Sequence, residues 1–381
     1  MVVIIGITLF FTQKERVLLL PTVPEPKQDA LLEPKDELEK EEVLPVSVIL
    51  ENLTIPWDLG FLPDGSMLVT ERPGRLLHFD SETKKIDKIE ISNTRHIGEG
   101  GLLGLAVHPN FSENNLIYLY ITREAENGFK NEVRRYKFSN NQLTDQKIIL
   151  ANIPGARYHD GGRIQFSPSP INGISGPYYL YITVGDAGDE NSAQNKNSLA
   201  GKILRIKEDG KIPINNPFGN TVYSYGHRNP QGLSWDDEGN LWSTEHGRSG
   251  ILSGFDELNL IEVGKNYGWP DSQGDTVLSE TVAPTLHSGA DDTWAPASAL
   301  YWDGSIFFGG LRGEALYEAK LSGVEIVELK EYFKNEFGRI RTIRLGPDNM
   351  FYITTSNQDG RGTAKIGDDK IIRLDPEKLF R

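Results

Sequence analysis

The chain has 381 residues, of which 38% are hydrophobic and 9% aromatic, so it can build a sizeable core. Its formal net charge of −14 argues against nucleic acid or an anionic membrane surface as a partner. It contains no cysteine, which excludes disulfides, zinc–thiolate sites, thiol nucleophiles and iron–sulfur clusters.

The amino-terminal 45 residues differ in composition from the rest. Residues 1–20 form an apolar segment whose run VVIIGITLFF is too short to span a bilayer comfortably and lacks the basic region of a standard signal peptide. Residues 21–45 are rich in Pro, Glu and Lys, and we expect a solvated linker there. This order indicates an extracytoplasmic protein, whether secreted, periplasmic or membrane-tethered, with no bilayer-spanning domain beyond an N-terminal anchor. The alternative is a wrongly assigned start codon.

From residue 46 onward one phrase recurs six times: apolar residues, a turn with Pro, Asp, Asn or Gly, and a β-rich run. The copies, about 44 to 68 residues apart, are FLPDGSMLVTE from Phe61, AVHPNFSENNLIYLYIT from Ala106, FSPSPINGISGPYYLYITVGD from Phe166, LSWDDEGNLWSTEHG from Leu233, LYWDGSIFFGG from Leu300 and RLGPDNMFYITTSN from Arg344. Such turns join two strands in a tight hairpin, because Asp, Asn and Gly tolerate positive φ.

Further strand-like runs lie between the copies, among them RLLHFD, EVRRYKF and KILRIKED, and no segment shows a sustained helical period. A repeat of about 40–70 residues that forms one small antiparallel sheet is typical of a propeller. We therefore predict an all-β fold, a six-bladed β-propeller of four-stranded antiparallel blades, in one domain over residues 46–381. A pair of β-sandwiches is the alternative, but it predicts no repetition of one turn phrase.

Four clusters of unusual residues stand just outside the repeated strands. In chain order they are GEGGLLGLAVHP, with Glu99; YHDGGRIQF, with His159, whose unit ends in TVGDAGD, with Asp186; YSYGHRNPQGLSW, with Arg228 and Asn229, whose unit ends in TEHGRSG; and GRIRTIRLGPD, with Arg339 and Arg341. Each has an ordinary explanation as a core histidine, a turn, a loop or a solvated strand face. Together, several arginines, one histidine and a carboxylate on the loops of a ring favour a site for a polyanionic ligand with a general base beside it.

These stretches resemble the soluble pyrroloquinoline quinone (PQQ)-dependent sugar dehydrogenases, the glucose/sorbosone or aldose sugar dehydrogenase family of six-bladed propellers. The resemblance covers nearly all of residues 46–381 and rests on six motifs in family order: GEGGLLGLAVHPNF, YHDGGRIQF, YGHRNPQGL, TEHG, DELNLIEVGKNYGWP and GRIRTIRLGPD. It implies a quinoprotein oxidoreductase that oxidises aldose sugars at C1 to the lactone. It also implies PQQ and calcium as cofactors, and an external electron acceptor such as a quinone, a dye or a cytochrome.

The resemblance implies a role for each clustered residue. His159 matches the general base, and Asp186 matches the acid that orients its imidazole. Arg228 matches a PQQ contact that also stabilises charge on the reduced cofactor. The other implied cofactor contacts are Asn229, Arg312 (where the family often has lysine), the paired Arg339 and Arg341, and Glu99. Glu99 replaces the glutamine of the best-known members, and its effect on PQQ and sugar depends on its protonation.

The resemblance also implies two calcium sites, which suit hard oxygen ligands. The carbonyls of Gly247 and Arg248, after the EHG motif, complete the shell of a calcium bound to PQQ. The Glu257 carboxylate and the Tyr267 carbonyl hold a second calcium. The loop GRSGILSGFDELN between these pairs is a few residues longer than is usual in the family.

Two other functions remain open from the sequence. One is a non-catalytic propeller that serves as an interaction domain, which would have no reason to combine a His–Asp pair with the arginine set. The other is a calcium-dependent lactonase-type hydrolase, which would need several convergent Glu, Asp and Asn residues and would not need four arginines.

Overall fold

Six four-stranded antiparallel sheets follow one another along the chain in the computed structural model, which describes residues 44–169, 176–250 and 253–381. All six sheets belong to one compact unit, Leu44–Arg381. The predictions made for the apolar segment and for the linker up to residue 43 lie outside the described residues.

In each of the first five blades, the four strands are consecutive in sequence and in the sheet. Blades 1 and 2 contain β2 (Pro56–Phe61), β3 (Met67–Glu71), β4 (Arg75–Phe79), β5 (Ile86–Glu90), β6 (Leu102–Val107), β7 (Leu116–Ala125), β8 (Gly128–Ser139) and β9 (Gln142–Gly155). Blades 3 to 5 contain β10 (Ile164–Phe166), β11 (Tyr179–Val184), β12 (Lys202–Lys207), β13 (Val222–Tyr225), β14 (Pro230–Trp235), β15 (Leu241–Glu245), β16 (Glu257–Ile261), β17 (Leu286–His287), β18 (Pro296–Trp302), β19 (Ser305–Gly310), β20 (Ala315–Ser322) and β21 (Glu325–Tyr332).

The sixth blade is assembled from both ends of the described chain. It contains β22 (Ile340–Leu345), β23 (Phe351–Thr355) and β24 (Ile371–Leu374), and its outermost strand is β1 (Val46–Leu50). In this pairing Val46 stands opposite Leu374. The strand β22 also contacts β2, where the hydroxyl of Thr342 donates to the Trp57 carbonyl at 2.7 Å. The sheets therefore close into a ring, and the predicted six-bladed propeller is confirmed.

The repeated phrase joins the first strand of each blade to the second. In blade 5, for example, the two-residue loop Asp303–Gly304 connects β18 to β19, with φ of 47° and 79°. Positive φ at both loop positions is the geometry that the twist of a tight hairpin requires. The predicted tight hairpin is therefore confirmed for this blade, whereas in blade 2 the connection from β6 to β7 contains the short helix Phe111–Asn114.

Burial falls from the centre of the ring outward. The second strands β3, β15 and β19 are buried at every residue, because the blades on either side cover both of their faces. The fourth strand β5 alternates between exposed and half-buried residues. This difference explains why the inner strands do not alternate between apolar and polar residues, as in the apolar run IYLYI of β7.

The antiparallel arrangement separates two ends of the ring. The turns from first to second strand lie at one end, which we call the hairpin face. The loops from second to third strand and the connections from one blade to the next lie at the opposite end, which we call the site face. Helix is limited, in the described part of the chain, to α1 (Phe111–Asn114), α2 (Pro376–Leu379) and a 3₁₀ helix at Glu190–Gln194. None of these is long or apolar enough to cross a membrane.

Candidate active site

Every residue of the four clusters belongs to the site face or to the strand end beside it. The connections between blades carry Glu99, His159, Arg228, Asn229 and Arg339, while the loop from β11 to β12 carries Asp186. A cavity of about 650 Å³ opens on this face. Its lining includes Glu99, His159, Arg228, Arg248, Arg312 and Arg339.

His159 and Asp186 form a hydrogen-bonded pair at the wall of this cavity. The Nδ1 atom of His159 lies 2.7 Å from Oδ1 of the buried Asp186. Burial alone would raise the pKa of Asp186, but the hydrogen bond and charge interaction with His159 hold it below its usual value. Because an ionised carboxylate only accepts hydrogen bonds, Nδ1 carries the proton in this pair and Nε2 retains its lone pair.

The backbone around this pair explains two local sequence features. His159 has a left-handed φ of 61°, a conformation in which histidine is enriched among the non-glycine residues. Gly185, which precedes Asp186, must be glycine because the two loops approach closely here: a Cβ at this position would lie 2.0 Å from the carbonyl oxygen of His159. Packing of these two loops therefore brings the histidine to the aspartate that follows Gly185.

Glu99 supports the same loop and is ionised. Its Oε2 accepts the backbone N–H of His159 at 2.9 Å, and its Oε1 lies 2.7 Å from Nη1 of Arg361. Burial alone would raise the pKa of Glu99, but Arg361, with His246 and the N–H of His159, lowers it to about 2. The protonation that the sequence left open is therefore decided in favour of the carboxylate.

Arg228 and Asn229 each present a buried nitrogen without a partner. Arg228 donates to the Ser249 hydroxyl at 2.9 Å, and its backbone N–H donates to the Glu245 carboxylate, but its Nε has no hydrogen-bond partner. Asn229 accepts the N–H of Gly161 at 3.1 Å, whereas its Nδ2 is unpaired. Unpaired buried donors are costly. That of Arg228 belongs to a residue of the cavity lining and indicates a place for an acceptor group of a ligand, whereas Asn229 is fully buried behind the lining.

The paired arginines share a carboxylate that the sequence analysis missed. Oδ2 of Asp359 lies 2.8 Å from Nη2 of Arg339 and 3.4 Å from Nη2 of Arg341. Burial lowers the pKa of Arg341 to about 9, so its guanidinium stays charged at neutral pH. Arg312 differs, because it is exposed on the cavity rim and donates to the Ser253 hydroxyl at 3.0 Å.

The four residues assigned to calcium line one small cavity of about 10 Å³, with Gly247 and Arg248 reaching the larger cavity as well. Burial, and then the neighbouring Glu245, raise the pKa of Glu257 to about 8. The residues described here contain no group of three or more His, Asp or Glu side chains that could hold a metal. A cation in this place would therefore depend on backbone carbonyls together with Glu257.

A second chamber of about 160 Å³ lies next to the main cavity, with Glu99 and Arg361 in the lining of both. Asp160, which is 1% exposed, also lines it. Burial raises the pKa of Asp160 to about 7, against the hydrogen bond that Asn131 donates to Oδ1 at 2.9 Å, while Oδ2 has no partner. The buried Arg72 contributes a further cation to this lining.

The missed residues Asp359 and Arg361 had a recognisable signal. They lie in TSNQDGRG, which follows the second strand of blade 6. The quoted stretches GDAGD and TEHGRSG follow the second strands of blades 3 and 4. Aligning the blades by strand position would have placed all three loops on the site face.

Comparison with known proteins agrees with this architecture. A PQQ-bound aldose sugar dehydrogenase from Streptomyces coelicolor is similar in structure, with a TM-score of 0.78, 36% sequence identity and coverage of 86% of this chain and 97% of that one. The aldose sugar dehydrogenase YliI of Escherichia coli is 29% identical, over 83% of this chain and 91% of its own length. Quinoprotein glucose dehydrogenase B of Acinetobacter calcoaceticus is 33% identical, over 62% of this chain and 54% of its own.

The fold is a six-bladed propeller that carries an acid-paired histidine beside a cationic cavity. The family model for glucose/sorbosone dehydrogenase matches residues 53–372. The chain belongs to that family.

Proposed function

We propose that this protein oxidises aldose sugars at C1 to the lactone, with PQQ as its cofactor. The observation that carries the proposal is the His159–Asp186 pair, 2.7 Å apart, at the wall of a cavity lined by Arg228, Arg312 and Arg339. A base and several cations in one cavity suit a substrate that must lose a proton beside an anionic cofactor.

The cavity fits PQQ, a tricarboxylate with further carbonyl acceptors. Three buried nitrogens in its lining have no partner, namely Nε of Arg228, Nε2 of His246 and Nε of Arg248. Arg339 adds a guanidinium group to this lining, and Arg341 adds one to the lining of the adjoining chamber of about 160 Å³. Asp359 neutralises the two only in part. When bound, PQQ supplies a quinone that accepts the hydride leaving C1 of the sugar.

Residues of the chain itself then accept the proton that the C1 hydroxyl of the sugar loses. Nε2 of His159 takes the proton of the C1 hydroxyl, and the ionised Asp186 stabilises the imidazolium that forms. C1 has then lost a hydride and its hydroxyl a proton, which leaves the lactone. Arg228 would provide a fixed positive charge for the negative charge that develops on the reduced cofactor. Because this charge is already in place, it lowers the barrier to hydride transfer with no rearrangement of the site. An external acceptor, such as a quinone, dye or cytochrome, completes the turnover.

We also propose calcium as the second cofactor. The support is chemical: Glu257 is half-buried, and its desolvation together with the neighbouring Glu245 raises its pKa to about 8, so a cation between them would stabilise the ionised form. The cavity that it shares with Gly247, Arg248 and Tyr267 has a volume of about 10 Å³, which is room for a single ion. Calcium accepts the carbonyl and carboxylate oxygens that this place offers.

The test is sugar-dependent dye reduction by purified protein given PQQ and calcium, with glucose and other aldoses as substrates. We expect His159→Gln to bind PQQ normally and to turn over about 10² to 10⁴ times more slowly, the usual contribution of a positioned base. No PQQ binding and no dye reduction under any condition would favour the interaction-domain alternative. Calcium-dependent lactone hydrolysis without PQQ would favour the hydrolase alternative.

A further inference from the structure

Trp269 contacts two of the proposed catalytic residues at once. Its indole Nε1 donates to Oδ2 of Asp186 at 2.9 Å, the oxygen that His159 does not use. The face of the same ring lies 5.2 Å from Cζ of Arg228. The indole therefore fixes the second oxygen of the acid and also packs under the guanidinium.

Trp269 is itself held by the chain on its other side. Its backbone N–H donates to the Gly226 carbonyl at 2.9 Å, and its carbonyl accepts Nε2 of Gln194 at 2.7 Å. Gln194 and Asn266 exchange two side-chain hydrogen bonds, of 3.0 and 2.9 Å. The amide of Gln194 therefore ties the Trp269 loop to the 3₁₀ helix between β11 and β12.

A buried ammonium anchors that 3₁₀ helix. Lys202 is fully buried, and its Nζ donates to the carbonyls of Ser192, Ala193 and Ala200 at 2.9, 2.8 and 2.6 Å. Three acceptors match the three N–H donors of an ammonium group. Burial lowers the pKa of Lys202 to about 7, so all three bonds form in the protonated state below that pH. The helix that carries Gln194 is thus fixed to the first residue of β12.

We infer that Trp269 is a positioning residue for the His159–Asp186 pair, held in place through Gln194 by the Lys202 ammonium. With Oδ2 bound by the indole N–H, the carboxylate keeps Oδ1 on Nδ1 of His159, and Nε2 points at the substrate. The effect on turnover rests on the proposed function, whereas the hydrogen-bond geometry does not.

The test is Trp269→Phe, which removes the indole N–H and retains a ring under Arg228. We expect kcat to fall about ten- to a hundredfold, as for loss of one hydrogen bond to a charged group. The KM for the sugar and the affinity for PQQ stay unchanged. Loss of the donor also makes Asp186 easier to protonate, so the acidic limb of the kcat profile moves to higher pH. Trp235→Phe, the same change at the hairpin face, leaves all four quantities unaltered.

A second readout needs no activity. The Nδ1 proton of His159 gives a low-field NMR signal in the apo protein, assigned by its loss in His159→Gln. We expect this signal to shift or broaden in Trp269→Phe, and to broaden in Gln194→Leu, which keeps the indole but frees its loop. An unchanged signal and an unchanged acidic limb in Trp269→Phe would overturn the inference. If wild-type protein reduces no dye with PQQ and any sugar, the proposed function fails, and the NMR comparison still decides the positioning.

Discussion

The carboxylate of Glu99 lies 2.7 Å from Nη1 of Arg361, a residue 262 positions later in the chain. This ion pair joins the connection before β6 to the loop after β23, across the wall shared by the two cavities. Because the two charges cancel, Glu99 adds little repulsion against an anionic ligand in the main cavity. The negative charge of Glu99 is therefore compensated within the same site.

The Glu99–Arg361 pair predicts a pH-dependent stability difference. The pKa of Glu99 is lowered to about 2 in the folded protein, so its contribution is present above the unfolded value of 4.5 and is lost as the pH falls towards 2. At pH 7 we expect Glu99→Gln to lower the free energy of unfolding by about 1 kcal/mol, because Arg361 is half exposed and screened. Urea unfolding at several pH values measures the difference. Two results would contradict the role of this ion pair. One is a difference in unfolding free energy between wild type and Glu99→Gln that stays constant down to pH 3, and the other is an equal loss of stability in the exposed control Glu90→Gln.

The paired arginines predict the strength of cofactor binding. Arg339→Ala and Arg341→Ala should each weaken PQQ binding by about 1.5–3 kcal/mol, the range for hydrogen bonds to charged groups. Calorimetric titration of apo protein with PQQ measures the loss. Arg373→Ala is the matched control, since Arg373 pairs with Asp348 away from the cavity. Unchanged PQQ affinity in both Arg339→Ala and Arg341→Ala would mean that the two guanidinium groups pair with Asp359 and do not contact the cofactor.

The raised pKa of Asp160 predicts that the free energy of unfolding falls as the pH rises. Its pKa is raised to about 7 in the fold against 3.8 unfolded, so the neutral acid favours the folded state, and this advantage is lost between about pH 4 and pH 7. Asp160→Asn keeps the acceptor for Asn131 and cannot ionise. We expect it to exceed wild type by about 4 kcal/mol at pH 8 and to match it near pH 4. Thermal or urea unfolding at the two pH values checks this, with the exposed Asp271→Asn as control. The idea fails if Asp160→Asn shows no gain at pH 8.

Calcium removal predicts loss of activity and of stability together. Chelator-treated protein with PQQ alone should be inactive and should regain dye reduction when calcium is returned. Magnesium should restore less, because it requires a smaller octahedral shell and gives up water reluctantly. Glu257→Gln should reduce the rise in melting temperature that calcium produces. Full activity with calcium rigorously removed would exclude a role for the metal.

The parts of this molecule that follow from local sequence were predictable, and long-range pairings were not. The turns at Asp303–Gly304 and its five counterparts predicted the blades, because turn chemistry is encoded within a few residues. The contacts of Asp359 with Arg339 and of Trp269 with Asp186 depend on where loops from different strands meet. Only the ring geometry brings them together, so neither partner was identified from its own surroundings in the sequence.

The pairing of β1 with β24 bears on how the protein comes apart. A linear array of repeats frays from its terminal units, each of which has only one neighbour. Here the blade that contains both ends of the described chain contacts β2 on one side and β18 on the other, so every blade has two neighbours. No blade can detach without opening the ring, so we expect a single cooperative unfolding transition, with amide exchange of all six inner strands governed by one global opening.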